Sequence, residues 1–113
     1  MKAHEFAGKA AELLSGDRQR THGDKRTNHQ NIAALWNAYL SRRPDPTTPL
    51  SAREVALMMA LLKIARTLAG AHNADDYMDL IGYGAIAGEL ADQDEEFTTE
   101  LRLATTCPLE MLT

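Results

Sequence analysis

Between Ser51 and Leu90 apolar residues recur at steps of three and four in two long runs separated by a short turn, and this pattern predicts a helical pair. Val55, Met58, Met59, Leu62 and Ala65 mark the first run. Ser51 precedes Glu54 by a capping-box spacing, Pro49 lies just outside, and Gly70 supplies a stop. The second run opens at Asn73, a good N-cap, with Asp75 and Asp76 where carboxylates favour the positive end of the macrodipole. From Tyr77 to Leu90 nearly every position is apolar or glycine, which predicts a helix buried on most sides. Gly82, Gly84 and Gly88 each cost roughly 1 kcal/mol of helix propensity relative to alanine, so another helix or a ligand is expected to approach them closely.

Upstream, residues 3–15 read as an amphipathic helix with Phe6, Ala7, Ala10, Leu13 and Leu14 on one side. The following GDRQRTHGDKRTNHQN has no apolar period and predicts a loop, then a helix start near Asp24 or Thr27. That helix runs to about Ser41, with Ile32, Leu35, Trp36, Tyr39 and Leu40 as its apolar face. Trp36 is expected to anchor the core. Arg42 and Arg43 suit the helix C-terminus, and RPDPTTP then forms an extended connection. After Leu90 the chain turns acidic; Phe97, Leu101 and Leu103 leave room for a short helix that Pro108 should stop.

The fold expected is therefore all-α, an antiparallel bundle of four main helices with room for a short C-terminal one. The 113 residues suit one domain, with a core over 3–91 and an acidic segment over 92–113. No apolar run reaches the roughly 20 residues that span a membrane, and MKAHEFAGKAAELL lacks a signal-peptide apolar stretch. A cytoplasmic protein is expected. The one cysteine, Cys107, excludes an internal disulfide and a thiolate zinc cluster. Charge changes the picture more: up to Arg53 there are nine Lys and Arg against five acids, and after His72 one against ten. Such a division suits self-association, so a homo-oligomer is expected.

Candidate chemistry lies where charges interrupt apolar faces. Val55, Met59, Lys63, Arg66 and Gly70 fall on one helical stripe, as do Asp75, Asp79, Gly82, Ile86 and Glu89. A short turn makes the two helices antiparallel, so Lys63 and Arg66 face Asp75, Asp76 or Asp79 across the hairpin. One reading is a structural ion-pair network. The other is a pocket in which carboxylates hold a divalent metal and cations meet phosphate. The basic loop presents His22, Asp24, Lys25, Arg26 and Asn28 to an anionic ligand, or is a solvated connection. Asn28 shares a stripe with Ile32, Leu35 and Tyr39, which points it inward. No Gly-rich phosphate loop, zinc spacing or nucleophile elbow is present.

The segments THGDKRTNHQNIAALWNAYL, SAREVALMMALLKIAR and NADDYMDLIGYGAIAGEL resemble a group of small phage and prophage proteins over roughly residues 21–90. The group in turn resembles, in part, the MazG-like all-α nucleoside triphosphate pyrophosphohydrolases, which are helical, oligomeric and magnesium-dependent. That resemblance maps the later acidic motif onto Asp76 and Asp79, and it finds no counterpart of the earlier Glu-Glu-x-x-Glu motif.

Two functions follow. In the first, a nucleotide-directed MazG-like protein, Asp76 and Asp79 bind Mg2+, Glu89 adds a ligand or orients water, and Lys63 and Arg66 steady phosphate. Asn28 fixes base or ribose; His22, Asp24 and Tyr83 complete the ligand site. In the second, a non-catalytic phage accessory protein binds a host protein, a nucleic acid or a signalling nucleotide through the basic loop.

Overall fold

A computed structural model describes residues 1–15 and 24–112, with side chains described to Thr105. Four helices follow in order: α1 (Ala3–Leu14), α2 (Lys25–Ser41), α3 (Ala52–Arg66) and α4 (Ala74–Leu112). The all-α architecture is the one the apolar period predicts. Among the described residues no helix is long and apolar enough to cross a membrane.

Local chemistry sets each boundary. Asp24 caps α2 by accepting from the Thr27 amide at 3.0 Å, which also draws its carboxyl below the usual carboxylate range. Ser51 and Glu54 form the expected capping box at α3. Thr67 follows α3, and Gly70 takes the positive φ of 81° that the reversal toward α4 requires. Asn73 then accepts from the Asp75 amide at 3.0 Å and opens α4.

Packing is sequential: α3 lies between α2 and α4 and touches both. The α2–α3 register is set by two bonds that run antiparallel. Trp36 Nε1 donates to the Met58 carbonyl at 2.7 Å, and Tyr39 Oη reaches Glu54 at 3.4 Å. Ala56, Met58, Ala60 and Ala65 of α3 form the core with Ile32 and Ala87, so the bundle is built on small side chains that allow close helix approach. Helix α4 turns inward a stripe of Asp76, Leu80, Tyr83, Ala87 and Leu90.

Three expectations change. Helix α4 is 39 residues long, because no residue between Leu90 and Cys107 breaks a helix; the acidic segment continues it. Its bounds also pass Pro108, and a proline removes one amide donor without always ending a helix. The same helix is covered on one side only, leaving Tyr77, Met78, Ile81 and Ile86 exposed, because α3 is its one extensive neighbour among the described residues. A β-carbon built on Gly82, Gly84 or Gly88 would meet nothing within 4 Å, so no other described element approaches them. Val55 is likewise exposed although Lys63 on the same stripe is buried. Finally, α1 forms as expected but buries none of its residues.

Candidate functional site

The site is read outward from the α3–α4 register. Lys63 Nζ lies 2.9 Å from Asp79 Oδ2, which fixes the two helices antiparallel at that level. One turn toward the end of the bundle, Arg66 and Asp76 come level and line one pocket. This pocket, of about 220 Å³, also includes Gly70, His72, Asn73 and Tyr77. The rings of His72 and Tyr77 lie 5.9 Å apart at its rim, tilted by 33°. Following α2 two turns back from Trp36 and α3 two turns on from Met58 places Asn28 level with Arg66 as well.

This layer is polar, buried and incompletely satisfied. Asn28 is 6% exposed and Asp76 5%. Neither the Asn28 Oδ1 nor the Arg66 Nε finds a hydrogen-bond partner among the described residues, although both atoms are shielded from solvent. Buried polar atoms of native proteins are nearly always paired, and each unpaired one costs about 1–3 kcal/mol. The N-termini of α2 and α4 end on this side of the bundle with the C-terminus of α3, so two positive helix ends stand against one negative.

The candidates distribute unevenly around it. Asn28, Arg66 and Asp76 belong to the layer, and Lys63 stands one turn deeper, 8% exposed. Asp79 is half-exposed and engaged by Lys63, so its carboxylate is partly committed to a cation. Asp24 is spent on the α2 cap. Tyr83 lines a separate shallow hollow with Met78, Asp79, Gly82 and Ile86. Glu89 is exposed and lies about 20 Å along α4 from Asp76, so it does not join the layer. His22 lies outside the described residues. Among the described residues, no three His, Cys, Asp or Glu side chains converge as a metal cage.

A second polar centre has no signature in the apolar pattern of the sequence. Arg43 donates to both oxygens of Glu54, from Nε at 2.6 Å and from Nη2 at 3.0 Å. The Arg43 hydrogen bonds, together with the Ser51 amide, hold the Glu54 carboxyl down at about 2. The capping-box spacing had accounted for Glu54, and no periodicity ties an arginine beyond a helix end to it. This centre joins the α2–α3 connection to the first turn of α3 at the opposite end of the bundle.

The fold and this layer define a helical protein with a half-satisfied polar site between three helices. Residues 5–91 match the family described as a domain of unknown function (DUF6378), and the chain belongs to that family. It is similar to the gene 55 protein of Mycobacterium phage L5, 37% identical over 87 residues that make up 77% of this chain and 53% of that protein. The gene 55 protein of Mycobacterium phage D29 is 30% identical over 87 residues, 77% of this chain and 54% of its own. The chain thus spans about half the length of the curated phage relatives it matches. No solved structure matches. The family match ends at Ala91, where the α3–α4 register brings α4 level with the start of α3.

Proposed function

We propose that this phage-type protein binds a nucleotide, with a phosphate group received by the Arg66 guanidinium in the layer that it shares with Asn28 and Asp76. The observation that carries the reading is the Arg66 Nε, a donor without an acceptor among the described residues, in a guanidinium side chain that lines the pocket. A phosphate oxygen supplies such an acceptor in the planar geometry that guanidinium groups favour. Lys63 adds positive charge one turn away, and the α2 and α4 N-termini add their dipoles. The His72–Tyr77 pair offers apolar ring surface to a base or ribose beside the phosphate.

The partial resemblance to MazG-like pyrophosphohydrolases extends this reading to Mg2+. The residues fit in part: Asp76 is a buried carboxylate, and magnesium takes one or two carboxylates with ligand phosphates and water completing its shell. Asp79 would join once Lys63 turned to the phosphate. A bound ion would neutralise phosphate charge. The remote Glu89 favours binding over turnover. The accessory-protein reading draws support from Lys25 and Arg26, exposed along the outer face of α2.

Thermal melts with deoxynucleoside triphosphates and cyclic nucleotides, with and without magnesium, test the proposal. A ligand at a hundredfold excess over its dissociation constant adds about 2.7 kcal/mol of stability. Absence of a shift with every nucleotide would overturn the reading. Magnesium-dependent pyrophosphate release that Asp79→Asn abolishes would establish an enzyme.

A further inference from the structure

We propose that the outward face of α4 is the contact surface for a second copy of this chain. From Tyr77 to Leu90 every residue but Asp79 and Glu89 is apolar, glycine or tyrosine, a composition that belongs to a helix covered on most sides. Its own chain covers only the stripe of Asp76, Leu80, Tyr83, Ala87 and Leu90. Directly opposite run Met78, Ile81, Ala85 and Gly88, at steps of three, four and three, all exposed, with Ile81 at 72%. A β-carbon on Gly88 would meet open space, so the small residues there admit another helix at close range.

The charge pattern selects the occupant. Past Ala91 the helix leaves α3 behind, and the described part of this overhang carries exposed Asp92, Asp94, Glu95, Glu96 and Glu100. Up to Arg53 the sequence carries nine Lys and Arg against five acids; among the described residues of this half, exposed Lys2, Lys9, Lys25, Arg26 and Arg42 stand beside exposed Glu5, Glu12, Asp24 and Asp45. In a two-fold pair each acidic overhang meets the basic half of the other copy, so the same attraction acts twice. Phe97 and Leu101, exposed and without a neighbour from α3, gain apolar contacts in the same arrangement. An elongated single chain agrees with this: its radius of gyration is 20.4 Å, against about 13 Å for a compact chain of this length.

Sedimentation of the full chain over about 1 to 100 µM tests the surface. The wild type is expected to sediment as a dimer that weakens as sodium chloride rises from about 0.1 to 1 M. Ile81→Glu is expected to raise the dissociation constant at least roughly thirtyfold. Gly88→Leu, which fills the groove, acts in the same direction. Both sites are open in the single chain, so circular dichroism of each variant should show helicity no lower than that of wild type. Wild-type protein that stays monomeric throughout the range overturns the proposal, and so does Ile81→Glu associating as tightly as wild type. Because neither residue touches the Arg66 layer, nucleotide-induced melting shifts should persist in both variants, which separates this test from that of the ligand site.

Discussion

The 2.9 Å pair of Lys63 Nζ and Asp79 Oδ2 marks the α3–α4 register in which Arg66 comes level with Asp76. It joins a buried lysine to a half-exposed carboxylate, so solvent screens the attraction. A double-mutant cycle of Lys63→Met and Asp79→Asn should give a coupling of about 0.2–1 kcal/mol. Lys63→Ala alone should cost more, because it also removes the buried aliphatic stem. A coupling several times larger would show that the pair, and not core packing, holds the two helices together.

Arg66 makes the opposite forecast. Its Nε is buried without a partner, so removing the guanidinium relieves a penalty. Arg66→Met should leave the free protein as stable as wild type, or more so by roughly 1 kcal/mol. The same variant should lose the nucleotide-induced shift in melting. Urea denaturation with and without ligand checks both halves. Strong destabilisation of the free protein would mark the arginine as part of a structural network.

Acid sensitivity should come from the other end of the bundle. Hydrogen bonds from Arg43, and then from the Ser51 amide, lower the Glu54 carboxyl from 4.5 to about 2. A depressed carboxyl stabilises the fold above its unfolded value and loses that contribution as pH falls through its folded value. Stability should therefore drop between about pH 4.5 and pH 2. Arg43→Gln should flatten this dependence and lower stability at neutral pH. Melts across that window measure the slope, and an unchanged slope in Arg43→Gln would remove Glu54 as its source.

The predictions differ in how far the sequence alone carries them. Ser51 with Glu54, Asp24, Asn73 and Gly70 announced the helix ends, because caps are local and their partners lie a few residues away. The hairpin of α3 and α4 was equally legible from the short turn, and Lys63 does meet a carboxylate across it. Helical phase was read less well. Asp79 and Glu89 were assigned to one stripe with Gly82, whereas the covered stripe runs through Asp76 and Tyr83. An apolar helix with glycines on several faces gives no moment from which to choose its inward side. The Arg43–Glu54 centre was invisible for a different reason: it depends on how a proline-containing connection returns the chain, which periodicity does not encode.

Gly70 and Gly8 offer the sharpest contrast between a glycine that backbone geometry requires and one it does not. Gly70 has φ at 81°, where an added β-carbon crowds the following carbonyl, so Gly70→Ala should cost about 1–2 kcal/mol. Gly8 sits within α1, and a β-carbon there meets nothing within 4 Å. Gly8→Ala should raise helix content, because alanine gains about 1 kcal/mol of propensity. It should leave the cooperative melt of the bundle in place, since α1 buries no residue that would couple it to α2. Circular dichroism amplitude and melting midpoint, recorded together, distinguish the two effects. A Gly70→Ala midpoint equal to wild type would mean that the α3–α4 reversal does not use the left-handed backbone, and the register that aligns Arg66 with Asp76 would lose its pivot.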